Sequence, residues 1–158
     1  MSKELVYTIN NDSELSKMFE CIDKVKKALP GGPVVVTLGR EAKSRDQEKK
    51  YHAMINDIMT TVELDQQYSF ESWKALLIDE FEQELLSDGK TLKSPSSVVI
   101  SIDKRRAVTI RASSQRFLKE EAALFITFLY AWGTEHGARF SDESLRYYDE
   151  INKHNLEE

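Results

Sequence analysis

The sequence predicts an α+β fold in one domain, with helix predominating. Three observations carry that prediction. Apolar residues recur at helical spacing along three long stretches, near 44–62, 70–86 and 115–136. Short runs rich in β-branched residues, at 4–9, 33–38, 98–102 and 107–112, are bounded by turn residues and read as strands. Neither an internal repeat nor a linker divides the 158 residues, so the chain reads as a single domain over 1–158, long enough to bury a working core.

Taken in order, ELVYTI (4–9) alternates and opens the chain as a strand. Asn11, Asp12 or Ser13 then caps a helix whose face carries Leu15, Met18, Phe19, Ile22, Val25 and Leu29, and Pro30-Gly31-Gly32 stops it. PVVVTL (33–38) follows as a buried strand, so the first forty residues predict an N-terminal β-α-β unit with a right-handed crossover. The helix from about Ser44 to Val62 places Gln47, Tyr51, Met54, Ile58 and Val62 on one stripe. FESWKALLIDEFEQELL (70–86), capped by Ser69, buries Trp73, Leu76, Leu77, Phe81 and Leu85. After a loop over 87–97, VVISI and AVTIRA flank the basic tip DKRR (103–106) as a small additional β hairpin. A long helix over Gln115–His136 has apolar residues on more than one face. Phe125, Phe128, Tyr130 and Trp132 therefore predict burial on two sides, by the chain's own core and by a second subunit. A short amphipathic helix, capped by Ser141, closes the chain over 141–155.

Composition narrows the function. No apolar run approaches the length of a membrane span, the first residues lack a secretory signal, and the single cysteine, Cys21, suits a reducing cytoplasm. The net charge of −5 argues against a nucleic-acid partner until it is resolved along the chain: +1 over 1–62, −6 over 63–87, +6 over 88–119 and −6 over 120–158. A phosphate backbone responds to local potential, so a basic site on an acidic body is compatible with nucleic acid. His52, His136 and His154 share no metal-ligand spacing, LPGGPVV leads into a strand and not a helix N-terminus, and Asp46 and Glu48 do not share a helix face. The expectation is a protein without catalytic residues, metal or cofactor.

Five blocks, VVVTL, KSRDQEKKYHAM, SFESWKALL, RASSQRF and WGTEHGARFSDES, resemble the NinB family in order and spacing across nearly the whole chain. The resemblance implies a homodimeric DNA-binding protein of phage recombination, located in the cytoplasm of the bacterial host. Such a protein binds single-stranded DNA, contacts the host single-strand-binding protein and helps load a phage or host recombinase onto coated strands. Gln47 falls on the glutamine of the family's DQ pair, and Arg116 on the arginine after its serine/threonine-rich turn, both implicated in DNA or partner contacts. His52 stands where the family has tryptophan, with Tyr51 in place of an aliphatic residue before it, and the closing helix is acidic where the family's is basic.

The residues themselves offer two basic sets for DNA: Lys43, Arg45, Lys49 and Lys50 around Gln47, and Lys104, Arg105, Arg106, Arg111 and Arg116. Gln47, Tyr51 and His52 are the expected partner-binding group. The alternative is an adaptor that recognises the host single-strand-binding protein or a recombinase and touches DNA weakly, which the net acidity favours.

Overall fold

The structure is a computed structural model and describes residues 5–146. It divides into two compact units, Met1–Glu41 and Ala42–Glu158.

The second unit holds the core. Helix α2 (Arg45–Thr61) starts where Ser44 Oγ accepts from Gln47 N, and helix α3 (Phe70–Ser87) starts under an equivalent cap from Ser69. Helix α4 (Lys119–Glu135) begins later than its apolar periodicity suggested, because Ser114–Arg116 form a 3-10 turn and Phe117 and Leu118 are extended. Their inner faces meet in one cluster that includes Tyr51, Met54, Ile58, Trp73, Leu77, Phe81, Phe117, Phe125 and Leu129. Phe81 lies 5.1 Å from Phe125 and 5.5 Å from Phe128, ring centre to ring centre, in tilted contacts of the kind aromatic quadrupoles favour. Of the expected burial of α4 on two sides, the chain itself supplies the side on which Phe125 and Phe128 sit in this core. On another side Tyr130 stacks on Phe140, and Trp132 lies between Trp73 and His136. Leu76, expected in the core, is 43% exposed, since it lies beside the stripe led by Trp73, Leu77 and Phe81.

Strands β1 (Ser97–Ile100) and β2 (Ala107–Ile110) pair antiparallel, Ser97 opposite Ile110 and Ile100 opposite Ala107. Two buried glutamates position this hairpin. Glu121 reaches back to Leu118 N and also accepts from Lys93 N at 2.8 Å, while Glu82 accepts from Ser96 N at 2.7 Å. Asp57 fixes the last described turn of chain: its Oδ2 accepts from Ser141 N, Ser141 Oγ and Ser144 Oγ. Residues 142–146 are helical behind the Ser141 cap, and the remainder of the expected closing helix lies outside the described residues.

In the first unit the expected β-α-β unit is not seen among the described residues. Residues 5–9 and 33–38 belong to no ladder, and helix α1 (Lys17–Ala28) buries none of its residues. The physical reason is that β-branched alternation marks a segment suited to a pleated surface, while a strand exists only where another edge completes its hydrogen bonds. Val35 and Leu38, read as interior, are almost fully exposed.

Candidate nucleic-acid interface

Two backbone contacts bring the basic sets together in part. Ala42 bridges Leu118, and Lys43 N donates to Phe117 O at 3.1 Å. The entry to α2 therefore runs alongside the entry to α4. Lys43 and Gln47 thereby meet the segment 116–119, far from them in sequence, while Arg45 and Lys49, two residues to either side of Gln47, project from the other side of α2. Lys119, which sequence reasoning passed over, stands at the first position of α4. Arg45, Lys49 and Arg116 are exposed, whereas Lys43 is half-buried and pairs with Glu48 at 3.3 Å.

Gln47 is the joint of this neighbourhood. Its Oε1 accepts from Ser44 N at 3.0 Å while its own N–H donates to Ser44 Oγ, completing a capping box. Its Nε2 donates to Lys119 O at 2.9 Å, tying α2 to α4. The amide retains one N–H and one lone pair for a ligand. That tie could be found from the S-x-x-Q spacing only as far as the cap; nothing local announces Lys119 O.

Tyr51 and His52 part company. Tyr51 is 0% exposed and packs against Phe125 at 5.5 Å and Phe117 at 6.4 Å. The expectation that its ring meets a partner is corrected to a core role, which follows from its place on the apolar stripe with Met54 and Ile58. Burial pushes its phenol up to about 12. His52 is half-buried, with edge-on contacts to Tyr51 and Phe70, and its Nε2 is buried with no hydrogen-bond partner among the described residues. Burial first, then the Lys74 charge, lowers its pKa below the ordinary imidazole value, so the neutral form is favoured.

The remaining basic residues sit on the hairpin. Its tip is an ordered turn: Lys104 N donates to Ser101 O, Arg105 N to Asp103 Oδ1 and Arg106 N to Ser101 Oγ. Asp103 also accepts from Ser101 Oγ, and those contacts hold its carboxyl below its usual range. Lys104 takes a left-handed backbone, φ 58°, and so presents its side chain from the apex of the turn. Arg106 lies 3.7 Å from Asp103, so the tip carries less net positive charge than its KRR spelling suggests. Arg111 stands at the hairpin root, lining a cavity of about 20 Å³ with Glu82, Asp79 and Thr109.

Basic residues thus stand at the entries of α2 and α4, interspersed with Asp46, Glu48, Glu120 and Glu121, and at the tip of the hairpin. Among protein families, the model described as NinB protein matches residues 3–141. The chain belongs to the NinB family. It is 26% identical over 143 residues to protein NinB of Enterobacteria phage P21, covering 90% of this chain and 89% of that one. The NinB proteins of Escherichia phage lambda and Salmonella phage P22 match at 26% and 25% identity over the same length. A solved NinB structure superposes with a TM-score of 0.50 at 27% identity, covering 90% of this chain and 98% of that one. Lambdoid phages are thus the setting of its relatives, and a helix-rich NinB fold is shared. No helix among the described residues is long and apolar enough to cross a membrane.

Proposed function

We propose that this NinB-family chain is a non-enzymatic recombination mediator that acts as a homodimer in the cytoplasm of the bacterial host. It binds single-stranded DNA and helps a phage or host recombinase load onto strands coated by the host single-strand-binding protein. The observation that supports this reading best is the junction of Ala42–Lys43 with Phe117–Leu118, which brings the basic residues of 43–50 and of 116–119 to the adjoining entries of two helices. Phosphates neutralised there release counterions, so affinity should fall steeply with salt, by about 0.7 in log–log slope per contact on a single strand. A fluorescence-anisotropy titration with single- and double-stranded oligonucleotides across a salt series tests it. Tighter single-strand binding with a slope near −2 or steeper supports the mediator, and a flat slope removes it.

The adaptor reading has its own observation. Val98, Ile100, Val108 and Ile110 leave both faces of the two-stranded hairpin apolar and exposed, and such a hairpin is marginal in water without a further layer. Salt-insensitive capture of the host single-strand-binding protein, with negligible DNA affinity, would favour it.

A further inference from the structure

The two buried glutamates that hold the hairpin differ in one respect. Glu121 uses both carboxylate oxygens, one on Leu118 N and one on Lys93 N. Glu82, only 2% exposed, uses one. Its Oε1 accepts from Ser96 N at 2.7 Å, while Oε2 is buried with no hydrogen-bond partner among the described residues. A carboxylate taken out of water with half of its acceptor capacity unmet is costly, and it calls for a cationic N–H donor.

The cavity beside Glu82 limits the size of that donor. Its volume of about 20 Å³ holds a group of roughly the size of one water molecule, far less than a small-molecule ligand needs. Asp79 and Glu82, three residues apart on α3, line it from the helix, and Thr109 and Arg111 line it from the hairpin. Arg111 is the cation of that lining. It is exposed and forms no ion pair with either carboxylate. A guanidinium carries its N–H donors at the edge of a plane, which suits a narrow opening onto a carboxylate oxygen.

We propose that Arg111 is a latch: its guanidinium turns into the cavity onto Glu82 Oε2 beside Asp79, and turns out to meet a phosphate of single-stranded DNA. This rests on the mediator reading above and names an autoinhibitory contact within it. Two carboxylates compete with phosphate for one cation, so the free chain withholds part of its positive charge until a strand arrives. Because Arg111 already lines the cavity, rotation of its side chain is the only motion the latch requires. The structure records the open arrangement.

Oligonucleotide titrations of the full chain across a salt series test the latch. Glu82→Gln keeps an oxygen for Ser96 N and removes the charge. It should tighten single-strand binding about three- to fivefold at low salt and steepen the log–log slope by about 0.7, one phosphate contact. Asp79→Asn, at an exposed position that the core does not need, should act in the same direction. Both gains should vanish in an Arg111→Ala background. Glu80→Gln, which removes an exposed α3 carboxylate outside the cavity, controls for net charge and should give a smaller gain. A parent chain that binds DNA without these gains overturns the latch and leaves the mediator reading standing. So does a gain that survives Arg111→Ala or is matched by Glu80→Gln. A parent chain that binds no oligonucleotide overturns both.

Discussion

Helices α1 and α4 both carry aromatic and aliphatic residues at helical spacing and meet different fates. In α1 they form one stripe, and in α4 they spread over more than one face. Yet α4 buries Phe125, Phe128 and Leu129 against α2 and α3, while α1 buries nothing. An apolar stripe therefore demands a cover without specifying who supplies it. For α4 the cover comes from the same chain, through Phe81, Phe117 and Tyr51. For α1 its own unit supplies none. The sharpest break between the two should come from truncating one aromatic in each. Phe125→Ala should cost about 3–5 kcal/mol in urea denaturation. Phe19→Ala should stay within about 0.5 kcal/mol at concentrations low enough to hold the chain monomeric. Equal losses would mean that α1 is covered within the chain.

The same contrast separates polar groups by what they hold. Asp57 accepts three hydrogen bonds from Ser141 and Ser144, so Asp57→Ala should destabilise by about 1–3 kcal/mol and expose the 137–141 segment to protease. An unchanged digestion pattern would show that this carboxylate fixes nothing. Gln47 comes next. Removing its cap and its bond to Lys119 O should cost about 1 kcal/mol by thermal melting, alongside any loss of ligand affinity. Weakened DNA binding with an unmoved melting temperature would make Gln47 a ligand residue alone.

Much of the second unit was legible in the sequence because its signals are local. Ser69 caps the helix it precedes, α2 begins beside Ser44, and the hairpin forms around its basic tip, as spacing alone indicated. What escaped was every element whose partner is distant. Glu82 and Glu121 look like solvated helix charges, and only the fold reveals that they receive the backbone of residues 93–96. Tyr51 reads as either core or surface until Phe117 arrives beside it. The segments 5–9 and 33–38 have strand composition, but composition carries no information about a neighbouring edge. The same limit applies to the basic sets. Their residues were evident, whereas the meeting of the segments around Lys43 and Arg116 depended on a bridge between Ala42 and Leu118.

A smaller effect is expected from pH. His52 has its pKa lowered in the folded chain, so between that value and the ordinary 6.5 the unfolded chain binds more protons. Stability from this group is therefore complete above about pH 6.5 and lost as pH falls through the interval. His52→Phe, which keeps an aromatic beside Phe70, should melt with a shallower pH dependence than the parent between pH 7.5 and 5.5. Parallel curves would place the acid sensitivity elsewhere.

The central claim is that the entries of α2 and α4, more than the hairpin tip, carry the DNA. The most direct measurement is the salt dependence of single-strand affinity for Arg45→Ala/Arg116→Ala beside Arg105→Ala/Arg106→Ala. The first pair should shrink the log–log slope by about 1.4, two phosphate contacts, and weaken binding at low salt roughly equally for unrelated sequences. The second should shrink it by less than half as much, since Asp103 offsets part of the tip charge. A full slope in the first variant, with the loss confined to the second, would contradict the account and move the interface to the hairpin.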